Sequence, residues 1–203
     1  MLINIHVGSY ATPGAGEPDF RTQWGTAIDG QAGVAGYPAG TVNRHLFSGM
    51  QQGSGTAMSR GDWATASGQV FQQSSPVNVW SEAIVDMGTN SLIVNVEVYY
   101  TGTQTVTSNS LNVAVLQNNV EGPQSGGSNY NPGAILANGN YNHQHMLRHL
   151  LTGQWGDQLD TIAQGTLITR TYTWSLPNDI NGVELDPTNL EVVAFIAEGN
   201  QEV

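Results

Sequence analysis

After Pro76 the apolar residues of this chain recur at every second position, which is the period of a β-strand. Leu92, Val94, Val96, Val98 and Tyr100 share one face, with Asn95 and Glu97 on the other, so residues 92–100 predict a half-buried strand. LNVAVLQ (111–117), TLITRTYTW (166–174) and LEVVAFIAE (190–198) predict three more. The last carries Val193, Phe195 and Ala197 on its second face, which predicts a central strand. VNVWSEAIVD (77–86) predicts an edge strand, and Asn138-Gly139 and Asn181-Gly182 predict tight turns. Five strands joined by long loops imply an antiparallel sandwich over 76–203.

Residues 1–75 are patterned differently. LINIHV (2–7) predicts a short buried strand, and SYATPGAGEP (9–18) a loop in which Pro18 suits a first helical turn. Phe20, Trp24, Ala27 and Ile28 recur at helical spacing through 19–32, with Gly33 as a stop. GYPAGTVNRHLF (36–47) predicts a turn entering a strand, and 48–60 a loop. Asp62 is placed to cap a helix bearing Trp63, Ser67, Val70 and Phe71, ended by Pro76. The expected fold class is therefore α+β, with an α/β layer over 1–75 and a β-sandwich over 76–203.

Charge narrows the range of partners. Only 10% of the 203 residues are charged, all five basic residues are arginine, and the net charge is −11. Affinity for nucleic acid rests on neutralising several phosphates with Lys or Arg, so nucleic acid is not expected as a partner. An anionic membrane surface is disfavoured for the same reason. The absence of cysteine removes disulfides, thiol catalysis and dithiol redox chemistry from this chain. No run approaches the ~20 apolar residues of a transmembrane helix. The N-terminus lacks the basic region and cleavage site of a signal peptide. Many Gly, Asn, Gln, Thr and Ser residues with few charges fit a β-rich secreted or surface protein.

YNHQHMLRHLLTGQWGD (141–157) concentrates His143, His145, Arg148, His149 and Trp155 in a chain otherwise poor in cations, and these five are the candidate binding residues. If 141–147 were one strand, His143 and His145 would share a face, one way to chelate a metal, with His149 or Asp157 completing the set. The competing reading is structural, a strand-to-loop connection in which Arg148 pairs with a carboxylate or stacks on an aromatic ring. HxH alone is a weak motif, so no metal site and no cofactor is assigned. Asp179, Asn181, Glu184 and Asp186 in 177–187 offer oxygen ligands near a glycine turn, as calcium requires, but also read as an ordinary hairpin loop. No GxSxG elbow is present, and no catalytic residue is assigned. Of the tryptophans (Trp24, Trp63, Trp80, Trp155, Trp174), Trp155 is the one set in a glycine-flanked loop; the others are expected in the core.

Three segments, YNHQHMLRHLLTGQWGD at 141–157, LNVAVLQNNVEGPQ at 111–124 and NLEVVAFIAEGNQEV at 189–203, resemble the 28-kilodalton outer membrane (Omp28-related) protein family of Bacteroidota in order and spacing. NIHVG (4–8), DFRTQWG (19–25) and GYPAGTVNR (36–44) resemble its N-terminal part, which is similar to thioredoxin. The resemblance implies a cis bond before Pro38 and a partial thioredoxin-like layer. It also implies N-terminal truncation, with the family's CxxC-type motif and export signal lying upstream. It further implies an envelope or extracellular surface location, and adhesion or binding.

The resulting expectation is a non-enzymatic surface protein that binds a protein or a glycan through its sandwich loops, with homo-oligomerisation open. Two other readings stand beside it. One is a degenerate thioredoxin-like redox partner whose active half lies outside this chain. The other is a metal-dependent enzyme centred on His143, His145 and His149.

Overall fold

The period-two segments form antiparallel ladders in the computed structural model, which describes residues 1–203. The strands are β1 (Val77–Asp86), β2 (Ser91–Tyr100), β3 (Asn109–Gln117), β4 (Val120–Gly122), β5 (Tyr141–His143) and β6 (Met146–Leu150). They continue with β7 (Asp157–Leu159), β8 (Leu167–Ser175), β9 (Asp179–Ile180), β10 (Val183–Glu184) and β11 (Leu190–Ala197). The helices are α1 (Gly25–Ala32), α2 (Arg60–Val70) and the single turn α3 (Gly127–Tyr130).

Two main sheets share one apolar core. The first has the order β1-β2-β8, the second β11-β3-β6 with β7 also paired to β3. Leu92, Val94, Val96, Val98 and Tyr100 of β2 meet Leu111, Val113 and Val115 of β3 and Ile196 of β11, closed at the margins by Leu159, Ile162, Leu176 and Leu185. Full burial of each such aliphatic side chain contributes about 1.5–3 kcal/mol. The β1–β2 connection is short because Asp86 accepts from the Gly88 amide at 2.8 Å and from the Thr89 hydroxyl at 2.8 Å, an Asx turn. Two small hairpin-like sheets, β4-β5 and β9-β10, flank the second sheet.

The second sheet is covered on its other face as well. Ala114, Leu116, Leu147, Leu150, Val193 and Phe195 form a separate apolar cluster, packed against Ile3, Ile5, Trp24, Ile28 and Val203. The N-terminal segment and α1 thus make a third layer. α2 belongs to a further cluster, with Phe47, Met58 and Ala66 at its centre and Trp63 against them.

Several elements differ from the sequence reading. Residues 2–7 form no ladder strand: they make one parallel bridge, Asn4 to Met146, beside a chain that turns left-handed at His145. The helix predicted from 19 begins only at Gly25. The Asp19 carboxylate accepts from both the backbone amide and the guanidinium of Arg21, a local arrangement that competes with helix. No strand forms in 36–47, where Asn43 and Arg44 take positive φ and Gly40 makes only an isolated bridge to Met58. Ser59 occupies the N-cap of α2, Asp62 lies in its first turn, and Phe71 follows the last turn 82% exposed. β11 is an edge strand; its second face is apolar because the N-terminal layer covers it. The Tyr37-Pro38 bond is cis, as the resemblance implied.

Unequal cover on the two sheets yields a stability test. Leu116→Ala, which opens space beneath the N-terminal layer, is expected to lower the unfolding free energy by about 2–5 kcal/mol. Tyr99→Ala, on the uncovered face of the first sheet, is expected to change it by less than about 1 kcal/mol. Denaturant melts of both variants decide it, and equal losses would be incompatible with the three-layer arrangement.

Candidate binding surfaces

The histidine segment is not one strand. β5 ends at His143 and β6 starts at Met146. Between them His145 takes φ +52°, which reorients the chain and sends the histidines to different places. His143 is 4% exposed, in an aromatic cluster with His6, Phe20 and Tyr141 at ring distances of 5.1, 4.9 and 4.9 Å. His145 Nδ1 lies 2.7 Å from Glu191 Oε2, and its backbone amide donates to Asn118 Oδ1 at 2.8 Å. His149 stacks on Trp174 at 4.4 Å with planes 5° apart, and Trp24 meets its edge at 5.7 Å. A histidine of the second sheet is thus held between a tryptophan of the first sheet and one of the N-terminal layer. No three of these histidines and carboxylates converge as a metal would require.

Arg148 is 2% exposed and donates through Nη2 to the Val183 carbonyl at 2.7 Å, fastening the β9-β10 hairpin to β6. It forms neither the expected carboxylate pair nor an aromatic stack. The strand aims it at hairpin backbone, and a carbonyl is the acceptor within reach. Burial pushes its pKa down to about 10, and Asp179 acts against that at longer range. Trp155 is half-buried in the turn after β6. The next residue, Gly156, has φ +80°, and a Cβ there would stand 2.7 Å from the Leu111 carbonyl oxygen, so only glycine fits against β3.

In the 177–187 loop Asp179 and Asp186 are engaged in local hydrogen bonds, whereas the Glu184 side chain is exposed and makes none. Asp179 accepts from the Gly182 amide at 2.8 Å across the Asn181-Gly182 turn, and Asn181 donates to the Arg21 carbonyl at 2.7 Å. Asp186 accepts from the Thr188 amide and hydroxyl, at 2.9 and 2.7 Å. These bonds hold the Asp186 carboxyl below the usual carboxylate range.

The surface that the sequence reading missed is the outer face of the first sheet. By register, Asn78, Trp80, Glu82 and Ile84 of β1 oppose Tyr99, Glu97, Asn95 and Ile93 of β2. Those β2 residues in turn oppose Leu167, Thr169, Thr171 and Thr173 of β8. Nothing covers this face, and Trp80 is 53% and Tyr99 45% exposed. Trp80 was expected in the core. It has the opposite parity to Val77, Val79 and Val85, whose side chains do pack inward. That parity, read with the polar residues opposite, was the signal in the sequence.

An open cleft of about 410 Å³ lies elsewhere, in the N-terminal layer, lined mainly by His6, Ser9, Thr12, Arg21, Thr22 and Thr26. Burial, with His143 and Arg148 nearby, pushes the His6 pKa down to about 4.

These features define a mostly antiparallel β protein with two core-sharing sheets and a helical N-terminal layer. The chain belongs to the Omp28 family: the model of outer membrane protein Omp28 matches residues 26–203. Among solved structures it is similar to HBP35 of Porphyromonas gingivalis, with a TM-score of 0.65 at 20% identity, over 89% of this chain and 54% of that one. The chain therefore spans about half the length of that relative. It also matches a domain of the outer membrane lipoprotein Omp28 from Porphyromonas gingivalis at 17% identity. That match covers 64% of this chain and 87% of that one, with a TM-score of 0.38. No curated protein matches the chain. Membership of this outer membrane protein family places it in the cell envelope. No helix is long and apolar enough to cross a membrane.

Burial makes three histidines pH-sensitive. His6, His143 and His149 all have lowered pKa values, with desolvation as the largest cause. The unfolded chain takes up these protons as pH falls below about 6.5, while the folded chain resists until near 4 for His6. Stability is therefore full above about pH 7 and falls between 6.5 and 4. His6 alone accounts for on the order of 3 kcal/mol. Melting temperatures from pH 7.5 to 4.5 are expected to drop, and the drop should shrink in His6→Gln. A flat profile would show these histidines to be open to solvent protons.

Proposed function

We propose that this chain is a non-enzymatic binding module of the cell surface whose ligand contacts are made on the open β1-β2-β8 face and the loops at its rim. The observation that carries the reading is the contrast between the two sheets. The second sheet is closed on both faces, whereas the first presents Trp80 and Tyr99 to solvent among polar residues. Exposed side chains of this size, clustered on one face, mark interaction sites more often than chance exposure does. The histidine segment supports the same reading from the other direction, because its rings and its guanidinium are engaged in joining layers. Residues 1–75 are read as a partial thioredoxin-like layer and 76–203 as the sandwich domain, which fits both longer helices preceding residue 76 and all the ladder strands following it.

The test is attachment to surfaces. Fluorescently labelled chain is expected to bind saturably to isolated bacterial envelopes or to cultured epithelial cells. Binding should fall at least roughly tenfold in the Trp80→Ala/Tyr99→Ala double variant, the loss expected when two exposed aromatic contacts are removed. No saturable binding to either surface, or equal binding by the variant, would overturn the proposal.

A further inference from the structure

The ligand class follows from the chemistry of the open face. Trp80 and Tyr99 are diagonal neighbours on adjacent strands, roughly 7–8 Å apart by sheet geometry, so their rings border a common patch. Around them stand Asn78, Glu82, Glu97 and Thr169. Asn95 is engaged, accepting from the Thr171 hydroxyl at 2.9 Å. The side chains of Asn78, Glu82 and Glu97 are all exposed and make no hydrogen bond within the protein, so their planar acceptors are free to receive hydroxyl donors.

Charge removes several partners. The face holds two carboxylates and no lysine or arginine. The nearest arginine in sequence, Arg170, has the other parity on β8, opposite Val96, and its exposed guanidinium is held by the Thr169 carbonyl at 2.9 Å. In a chain of net charge −11, this face repels sulfated, uronate-rich or sialylated polymers and phosphate-bearing surfaces. A protein partner is disfavoured by the layout. The core of a protein interface is depleted in Glu and other charged residues, with polar groups at the rim. Here both carboxylates stand at the centre: the two middle rows put Trp80 beside Glu97 and Thr169, and Glu82 beside Asn95 and Thr171, while Ile84 with Ile93 and Tyr99 with Leu167 lie towards the two ends.

We infer that the open face binds a neutral glycan, with Trp80 and Tyr99 stacking against the apolar faces of pyranose rings and Glu82, Glu97 and Asn78 accepting from sugar hydroxyls. The inference rests on the binding-module reading above and names its ligand. An open sheet face suits the side of an extended neutral polysaccharide rather than a buried monosaccharide.

Affinity electrophoresis in gels containing mannan, laminarin, arabinogalactan or dextran, with heparin and polygalacturonate as anionic controls, tests this. At least one neutral polymer is expected to retard the chain and perturb its tryptophan fluorescence, and neither anionic polymer should. Trp80→Ala should weaken retardation by roughly tenfold, the scale of one well-made stacking contact. Glu97→Gln should weaken it less, with the melting temperatures of both variants close to that of the parent chain. Retardation by no neutral polymer, or retardation unchanged in Trp80→Ala, would overturn the inference. If it fails while the Trp80→Ala/Tyr99→Ala variant still loses attachment to whole surfaces, the ligand is not a neutral glycan and the binding-module reading stands. If attachment is also unchanged, both fall.

Discussion

β3 is the wall on which the rest of the molecule depends. Its odd-numbered side chains, Leu111, Val113 and Val115, belong to the core shared with the first sheet. Ala114 and Leu116 belong to the core under the N-terminal layer. A strand buried on both faces has no tolerance for a register slip, since a shift by one residue would exchange the two sets. The register shift between Val115 and Leu116 against β6 is the one irregularity of this strand, and it lies beside Arg148 and His149, which reach the Val183 carbonyl and Trp174. The Thr152 hydroxyl receives the Val113 amide at 3.0 Å where β6 has ended, so β3 keeps its hydrogen bonds.

The strands were legible because their period is short and their contacts lie within one or two ladders. β1, β2, β3, β8 and β11 fall close to where the alternation places them, and β1 is the edge it was expected to be. What was illegible is the layer that covers them. The apolar second face of β11 was read as a central position, but it reflects Ile3, Ile5 and Trp24 arriving from more than 150 residues away in sequence. No local pattern carries that information. In 19–24 and 36–47 side chain-to-backbone bonds and left-handed residues overrode propensity. The same limit applies to the histidines: spacing shows which share a strand face, but the positive φ at His145 breaks the strand on which that argument stood.

The distribution of aromatic and cationic groups separates architecture from surface. His6, Phe20, Tyr141 and His143 seal the β4-β5 flank, and Trp24, His149 and Trp174 tie three layers at the β6 edge. Arg148 spends its charge on a hairpin carbonyl. Desolvation disfavours protonation of these buried histidines, which suits them to packing at neutral pH rather than to proton transfer. Trp80 and Tyr99, by contrast, touch no covering layer, and the carboxylates beside them are unengaged.

Residue-resolved amide hydrogen exchange at neutral pH tests the central claim most directly, because it reads the same molecule at both places. The amides of 111–116, on the strand that lies between two cores, should be the last to exchange, at rates set by global unfolding, and those of 146–150, paired to it and packed under the N-terminal layer, should follow closely. Those of the β1 and β8 edges should exchange earlier. If 146–150 exchanges as fast as the exposed loops, the histidine segment is a mobile surface element, and its assignment to the architecture of the fold is wrong.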